Sequence, residues 1–303
     1  MADRDRLTDV PGVAVGHWSD PEARTGCTVV LLPENTIASC EVRGGAPASR
    51  ELAMLEPART VDKIDALLLT GGSAFGLAAA DGVVGWLEDR GRGWPTPAGP
   101  VPIVPALGLF DLAVGDATIR PGAAQGRAAC ANATDEIHDI GPVGAGTGCT
   151  TGKWLGLDHV QPGGLVAASE RLGDVVISVL VAVNAWGSVG RSSAGVAEAL
   201  KSRPTAQLLG NTTIGAVVTN ARLDKTQCLL LAQSAHDGLA RAVFPTHARS
   251  DGDAFIAAAT QQVEVSTDVQ ATHGAEVTID DLRILTVAAV ERAILGLSPD
   301  LLG

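Results

Sequence analysis

The chain has 303 residues, of which 46% are hydrophobic and 18% charged, with 36 glycines and no tyrosine. This composition is typical of a globular protein with a large core of small side chains, and it argues against disorder. The net charge of −12 argues against nucleic acid and anionic membranes as partners, because neutralising phosphates requires clustered Lys and Arg. We therefore expect a small-molecule substrate.

Targeting segments and bound metals have no support in the sequence. The N-terminus lacks an apolar run of signal-peptide length, and no stretch reaches the roughly 18 to 20 apolar residues of a membrane helix, so we expect a cytoplasmic protein. The five cysteines are scattered without C-x-x-C spacing, which indicates small buried residues rather than disulfides. The six histidines show no H-E-x-x-H or comparable spacing, so neither a metal nor another cofactor is predicted.

The first half of the chain predicts strands followed by alternating strands and helices. Two strands joined by a polar turn are expected in GVAVGHWSDPEARTGCTVVLLPE, and a third in TIASCEVRGG. The stretch IDALLLTGGSAFGLAAADGVVGWLEDRGRG predicts a strand, a glycine turn and a helix that ends at Gly91. After a proline-rich loop, AAQGRAACANAT predicts a helix of small residues.

The second half continues this alternation. Two strands separated by a turn near Gly173 are expected in GLVAASERLGDVVISVLVAVNAWG, and a helix in SAGVAEALKS that stops before Pro204. A strand over 213–219, a strand in KTQCLLLAQ, a helix in AHDGLARAV and a strand in DAFIAAAT follow. The closing helix has Thr278 as its N-cap and Asp281 completing a capping box. Its apolar residues recur at helical spacing: Leu282, Leu285, Ala289, Ile294 and Leu297.

The order of these elements predicts one domain of the α+β class. Consecutive strands joined by short turns predict antiparallel pairing, with helices grouped in layers on the sheets.

The glycine loop GAGTGCTTGKW resembles a nucleotide-binding P-loop but departs from it at two positions. The pattern G-x-x-x-x-G-K-[ST] requires Gly where this chain has Thr147, and Ser or Thr where it has Trp154. Nucleotide binding is therefore not predicted. Two interpretations stay open, a tight connection between layers and a set of backbone N–H groups with Lys153 facing an anionic or polarised centre.

Two further stretches carry polar residues beside strands. Asp251 and Asp253 stand two apart in SDGDAF, which directs both carboxylates to one face of a strand unless they form a solvated turn. Adjacent carboxylates repel, so one of them is expected to keep its proton or to accept hydrogen bonds. Asn184 ends an apolar strand, where its amide either caps a turn or donates to an oxyanion.

The stretch AQLLGNTTIGAVVTNARL places Asn211 and Thr212 directly before an apolar, β-branched run. The simplest interpretation is a loop that enters a strand. The alternative is self-cleavage, in which the Thr212 hydroxyl attacks the preceding carbonyl and hydrolysis of the ester leaves Thr212 as a new N-terminus. An α-amine has an ordinary pKa of about 7.7 to 8.0, so it can act as the base for its own hydroxyl.

Ordered matches along the whole chain identify a family. LTDVPGVAVGHW, RGGAPASREL, LLLTGGSAFGLAAADGV, VPALGLFDLAVGD, GAGTGCTTGK, NTTIGAVVTNA and AHDGLARAVFPTHARSDGD resemble the DmpA-type aminopeptidases, and in particular their nylon-oligomer hydrolase branch. The resemblance implies a layered αββα sandwich similar to that of N-terminal nucleophile hydrolases. It also implies a single domain that cleaves itself into an α chain, 1–211, and a β chain, 212–303.

The resemblance assigns roles to the candidate residues. It places the cut between Asn211 and Thr212 and makes Thr212 the nucleophile. Lys153 and Asn184 fall on active-site positions, where Asn184 holds the oxyanion and Lys153 assists. Asp251 and Asp253 fall on the paired positions that orient the nucleophile, and two aspartates after an Asn–Thr cut are typical of the nylon-oligomer branch.

The resemblance departs at one position and leaves the substrate open. An active-site tyrosine of some relatives is replaced by Phe110, so the contribution of that hydroxyl is missing here. The family implies hydrolysis of linear amides such as 6-aminohexanoate oligomers, with an aminopeptidase, an acyltransferase and an unprocessed binding protein as alternatives. It also implies an oligomer, which we expect to be a tetramer of αβ units.

Overall fold

The protein is described by a computed structural model over residues 5–191, 193–202, 210–266 and 277–297. The strands in these ranges are β1 (Ala14–Asp20), β2 (Thr25–Leu31), β3 (Ile37–Val42), β4 (Ala48–Arg50), β5 (Ala66–Thr70), β6 (Ala106–Gly108), β7 (Thr150–Thr151), β8 (Gln161–Pro162), β9 (Gly164–Leu172), β10 (Val175–Asn184), β11 (Ser188–Val189), β12 (Thr212–Ala221), β13 (Val243–Phe244) and β14 (Ala254–Val263). The α-helices are α1 (Ser73–Gly76), α2 (Ala79–Glu88), α3 (Ala123–Ala131), α4 (Val196–Ser202), α5 (Lys225–Ala242) and α6 (Ile279–Leu295). Short 3-10 helices lie at Leu7–Asp9, Leu52–Leu55, Gly144–Gly146, Lys153–Leu155 and Leu157–His159.

Two five-stranded sheets form the centre of the fold. The first has the strand order β1-β2-β5-β6-β4 and the second the order β3-β14-β12-β10-β9. Antiparallel pairing of consecutive strands is confirmed for β1 with β2 and for β9 with β10. It does not extend to β5 with β6 or β12 with β14, which are parallel because helices lie in the connections between them.

Alternating side chains bury both faces of each sheet. In β10, Leu180 and Ala182 point into the core between the sheets, whereas Val179 and Val181 point into the core beneath α5 and α6. In β5 the same alternation places Leu67 and Leu69 between the sheets and Leu68 beneath α2 and α3. One hydrophobic layer thus lies between the two sheets, and one further layer lies between each sheet and its helices. The α+β class and the layered αββα sandwich are confirmed.

One predicted strand is instead part of a helix. KTQCLLLAQ and the following AHDGLARAV together form the single helix α5. Asp224 caps its N-terminus, where its side chain accepts a hydrogen bond from Gln227 N and its backbone N donates one to Gln227 Oε1. Cys228, Leu231, Ala235 and Leu239 recur on the buried side at helical spacing. A short apolar run does not distinguish a buried strand from a buried helix. Here the capping box at Asp224 favours the helix.

The other predicted elements are observed close to their expected bounds. Thr278 caps α6, with the predicted capping box to Asp281. The predicted helix in SAGVAEALKS is α4, and its expected stop at Pro204 lies outside the described residues. Cys27, Cys130, Cys149 and Cys228 are buried, as expected for small core residues, whereas Cys40 is partly exposed. None of the helices in the described ranges is both long and apolar enough to cross a membrane.

Close helix packing leads to a prediction about two glycines of α2. A Cβ on Gly82 would lie 1.8 Å from the carbonyl oxygen of Ala123 at the start of α3, whereas the nearest atom to a Cβ on Gly85 is the Arg127 side chain at 3.8 Å. We expect Gly82→Ala to lower the free energy of unfolding by about 2 kcal/mol or more, because backbone must move. Gly85→Ala, the matched control, should raise it by about 0.5 to 1 kcal/mol through helix propensity. Urea denaturation measures both, and equal effects would contradict the packing.

Candidate active site

The predicted nucleophile stands at the start of a central strand. Thr212 is the first residue of β12 and pairs in register with Asn184, the last residue of β10. Both residues are buried, and so is Asn211. The Thr212 hydroxyl donates a hydrogen bond to the carbonyl oxygen of Asn211, which belongs to the peptide bond predicted to be cut. The hydroxyl therefore lies against the group that it would have to attack.

Lys153 and Asn184 form a buried polar pair beside this bond. The Lys153 ammonium donates to Asn184 Oδ1 at 2.8 Å and to the Asn184 carbonyl at 3.1 Å. It also lies 3.4 Å from the carbonyl oxygen of Gly210, one residue before Asn211. Burial lowers the pKa of Lys153 to about 8, against the opposing influence of Cys149 and the two aspartates. The glycine loop GAGTGCTTGKW thus brings the Lys153 ammonium close to the predicted cut, in line with the interpretation in which Lys153 faces an anionic or polarised centre.

Hydrogen bonds on both sides hold the Asn184 amide. Its oxygen accepts from Lys153 and from Thr150 N at 3.0 Å, and its nitrogen donates to the carbonyl of Phe110 at 2.8 Å. Two donors on one side and an acceptor on the other fix the orientation of the amide. The amide nitrogen has two N–H groups, so one can donate to an oxyanion while the other keeps the bond to Phe110. The amide oxygen meanwhile positions Lys153.

Asp251 and Asp253 lie on the other side of Thr212, in the turn before β14. Both side chains are buried, so the solvated-turn alternative is wrong. Asp253 Oδ1 accepts from Thr213 N at 2.7 Å, which anchors it to the residue after the nucleophile. Asp251 Oδ2 accepts from Ala248 N at 2.9 Å, whereas its Oδ1 has no partner among the described residues.

The two carboxyl groups differ in their electrostatics. Burial, followed by repulsion from Asp253, raises the pKa of Asp251 from 3.8 to about 7, although Lys153 opposes this shift. The raised pKa means that Asp251 keeps its proton in a larger fraction of molecules at neutral pH than an exposed aspartate does. A carboxyl group with a pKa near neutrality suits proton transfer at the pH of a cell.

Glycines allow the backbone to approach Thr212 and its neighbours closely. A Cβ on Gly252, between the two aspartates, would lie 2.8 Å from Thr212 Oγ1. A Cβ on Gly44, after β3, would lie 2.3 Å from Asp253 N. A Cβ on Gly210 would lie 2.0 Å from the ring of Phe110, so the segment before the cut rests on that ring. The Gly-Gly pair in VRGGA was the available sequence signal for a close approach.

Sequence reasoning missed one residue of this site. His247 donates from its backbone N to Asp253 Oδ2 at 3.1 Å, and its ring Nδ1 lies 2.9 Å from the same oxygen. It stands six residues before its partner in a stretch without regular periodicity, so only the folded loop brings the two together. Among the described residues there is no cluster of three or more His, Cys, Asp and Glu side chains that could hold a metal ion.

The raised pKa of Asp251 leads to a prediction about stability. The protonated carboxyl contributes stability that is fully present below about pH 3.8 and is lost as the pH rises through about 7. Asp251→Asn keeps a neutral group of the same shape at every pH. We expect it to raise the free energy of unfolding at pH 8 by about 2 to 4 kcal/mol, and by less at pH 5.

Denaturation at both pH values measures the effect, with Thr212→Ala in every chain so that the covalent state is the same. Asp174→Asn, in an exposed turn, is the matched control that removes a surface carboxylate. A stabilisation by Asp251→Asn that did not depend on pH would contradict the assignment of the proton to Asp251.

Comparisons with known proteins agree with this fold. The model of peptidase family S58 matches residues 5–297. An uncharacterized aminopeptidase of Mycobacterium tuberculosis is 42% identical over 291 residues, which cover 86% of this chain and 82% of that protein. A 6-aminohexanoate-oligomer endohydrolase of Kocuria sp. is 29% identical over 286 residues, covering 88% and 78% of the two chains.

Solved structures are similar over nearly the whole chain. A beta-aminopeptidase of Burkholderia sp. superimposes with a TM-score of 0.70 at 26% identity and covers 96% of this chain and 85% of its own. The L-aminopeptidase D-Ala-esterase/amidase of Ochrobactrum anthropi, described as a variant of the Ntn hydrolase fold, gives 0.71 at 23% identity with coverage of 96% and 85%. The chain therefore belongs to peptidase family S58, and with it to the hydrolases of peptide or amide bonds.

Proposed function

We propose that the chain cleaves itself between Asn211 and Thr212 and that the mature Thr212 hydrolyses linear amides. The observation that carries the proposal is the convergence of buried polar groups on one peptide bond. Lys153 and Asn184 lie on one side of Thr212 and the two aspartates on the other. Buried polar groups are normally hydrogen-bonded or serve a function. The groups of this set surround the Thr212 hydroxyl, which donates a hydrogen bond to the carbonyl oxygen of Asn211.

Self-cleavage would proceed by an acyl shift and a hydrolysis. Thr212 Oγ1 loses its proton to the carboxylate of Asp251 and attacks the carbonyl carbon of Asn211. The C–N bond breaks, the Thr212 nitrogen takes up a proton, and Asn211 is left as an ester on Oγ1. Water then hydrolyses the ester, which yields the carboxylate of Asn211 and a free α-amine on Thr212. The Lys153 ammonium stabilises negative charge that develops on this side of the bond.

Substrate hydrolysis would repeat these steps with the new amine as the base. The α-amine accepts the proton of Oγ1, the oxygen attacks the substrate carbonyl, and the amine passes the proton to the departing nitrogen of the substrate. Water hydrolyses the ester and regenerates Thr212. Asp253 holds the strand at Thr213 N, so it fixes the nucleophile in place during both reactions.

Self-cleavage is tested by the mass of the purified protein. We expect denaturing mass spectrometry to find fragments 1–211 and 212–303 and no intact chain. Thr212→Ala should leave one chain and lower amide hydrolysis by at least about 10³-fold, because no nucleophile remains. Thr213→Ala is the matched control, since it removes a neighbouring hydroxyl that has no partner among the described residues. An intact chain that still hydrolyses amides would contradict the mechanism.

The preferred substrate is proposed to be a linear amide with a flexible aliphatic stem. Nylon-oligomer hydrolases are among the relatives, and the residues after the cut match that branch. A second candidate, an aminopeptidase on peptides or β-peptides, is favoured by the higher identity to proteins named aminopeptidases. Pocket shape rather than the nucleophile decides between them. An acyltransferase differs from both in passing the acyl group to an amine.

A substrate panel separates these candidates. We expect kcat/KM of the cleaved protein to be higher for 6-aminohexanoate oligomers than for amino-acid p-nitroanilides or β-dipeptides, with Thr212→Ala as the blank. Cleavage of α-amino-acid anilides without cleavage of aminohexanoate oligomers would contradict the proposed substrate but leave the proposed role of Thr212 unchanged. If added amines received most of the acyl group at millimolar concentration, the protein would be a transferase.

A further inference from the structure

The carboxylate of Asp253 is held by a histidine that no step above uses. Its Oδ2 receives two hydrogen bonds from one residue, His247, through the backbone N and through ring Nδ1. Its Oδ1 receives the hydrogen bond from Thr213 N. Both oxygens of Asp253 therefore face donors, whereas Asp251 faces one donor and has one unpartnered oxygen within the described residues. Hydrogen bonds from donors favour the ionised form of a carboxyl group.

The ring of His247 is fixed from two sides. Its backbone has a φ of 57°, in the left-handed region where His, Asn and Asp are enriched among residues other than Gly. The ring of His236 packs against it edge-on with centroids 4.9 Å apart, and His236 in turn packs against Phe255 at 5.0 Å. His236 Nε2 lies 3.0 Å from the carbonyl oxygen of Glu41, so this nitrogen carries the proton. The histidine behind His247 is thereby anchored to β3.

The charges around His247 place its proton on the side of Asp253. Burial lowers the pKa of His236 to about 4, so this neighbour is neutral. The Arg43 side chain is paired with Asp237 and Glu41, and its backbone N donates to the Asp253 carbonyl. Asp251 and Lys153 are further charged groups that act at this loop, and Arg249 lies within it. Because the Asp253 oxygen accepts, Nδ1 of His247 must donate, and Nε2 has no partner among the described residues.

We propose that His247 is a positioning residue that holds the Asp253 carboxyl group in place against Thr213 N, which leaves Asp251 as the member of the aspartate pair that exchanges a proton. This rests on the proposed function, since the pair acts there on Thr212. His247 does not touch the nucleophile and acts through Asp253. Asp251, with its unpartnered oxygen, is then the member of the pair that exchanges a proton during self-cleavage.

The rate of self-cleavage as a function of pH tests this assignment. In the uncleaved chain Thr212 has no free amine, so its titration cannot mask that of the carboxyl pair. The full-length chain is translated in vitro, transferred to buffers between pH 5 and 9, and followed by mass spectrometry. The wild-type rate should rise as the pH passes about 7, where Asp251 ionises, and fall above about 8, where Lys153 loses its charge.

Two substitutions of equal size separate positioning from packing. His247→Asn and His247→Asp both tolerate positive φ, and both place a polar atom where Nδ1 stands. Asn keeps a donor for Asp253, whereas Asp replaces it with a third carboxylate that opposes ionisation of the pair. We expect His247→Asn to cleave within about threefold of wild type. His247→Asp should slow cleavage at least about 30-fold and move the acid limb of the profile up by about one pH unit or more.

The controls distinguish the possible outcomes. His159→Asn removes an exposed histidine and should behave as wild type, and thermal unfolding of each variant reports whether it folds. If His247→Asn were as slow as His247→Asp, or if the acid limb of His247→Asp stayed in place, His247 would serve packing alone and the proposal would be overturned. If the wild-type chain did not cleave at any pH, the proposed function would fail first, and this assignment with it.

Discussion

The pairing of Thr212 with Asn184 is the constraint on which the rest of the site depends. It joins the start of β12 to the end of β10 within a sheet that is buried on both faces. A slip of one residue would move every side chain of β12 to the opposite face, so the two hydrophobic cores fix the register. The position of Thr212 relative to Lys153, which Asn184 holds, is therefore set by the packing of valines, leucines and alanines far along both strands.

Burial shifts the pKa values of the ionisable groups in the site, and it also lowers the stability of the folded chain. Taking Lys153 and Asp251 out of water moves their pKa values toward each other, to about 8 and about 7. Because both pKa values lie close to neutral pH, small changes in the environment decide which of the two groups carries a proton. The same shifts mean that the folded chain holds these groups in states that water would not favour. The hydrogen bonds from Lys153 to Asn184 and from Ala248 N to Asp251 compensate for part of this cost.

The sequence predicts the layers of this fold better than the contacts of its site. The alternation in β5 and β10 and the capping box of α6 are local patterns, and each is observed. The apolar run that begins α5 was wrongly predicted to be a strand because its neighbours in sequence do not reveal which layer covers it. Thr212 and the aspartates stood out by their sequence context, and the family resemblance favoured their functional interpretation over the simpler ones. His247 was missed because its role depends on a loop that turns back onto Asp253.

The position of the predicted cut explains how the fold can tolerate it. Strands β3, β9 and β10 precede the Asn211–Thr212 bond, whereas β12 and β14 follow it, yet all five lie in one sheet in which β14 and β12 stand between β3 and β10. Hydrolysis would leave the backbone hydrogen bonds of that sheet intact. What must change is local, because Gly210 rests on the Phe110 ring and lies beside Lys153. In the uncleaved chain these residues occupy the approach to Thr212, so release of the new C-terminus at Asn211 would both expose the amine and vacate the place that the acyl part of a substrate needs.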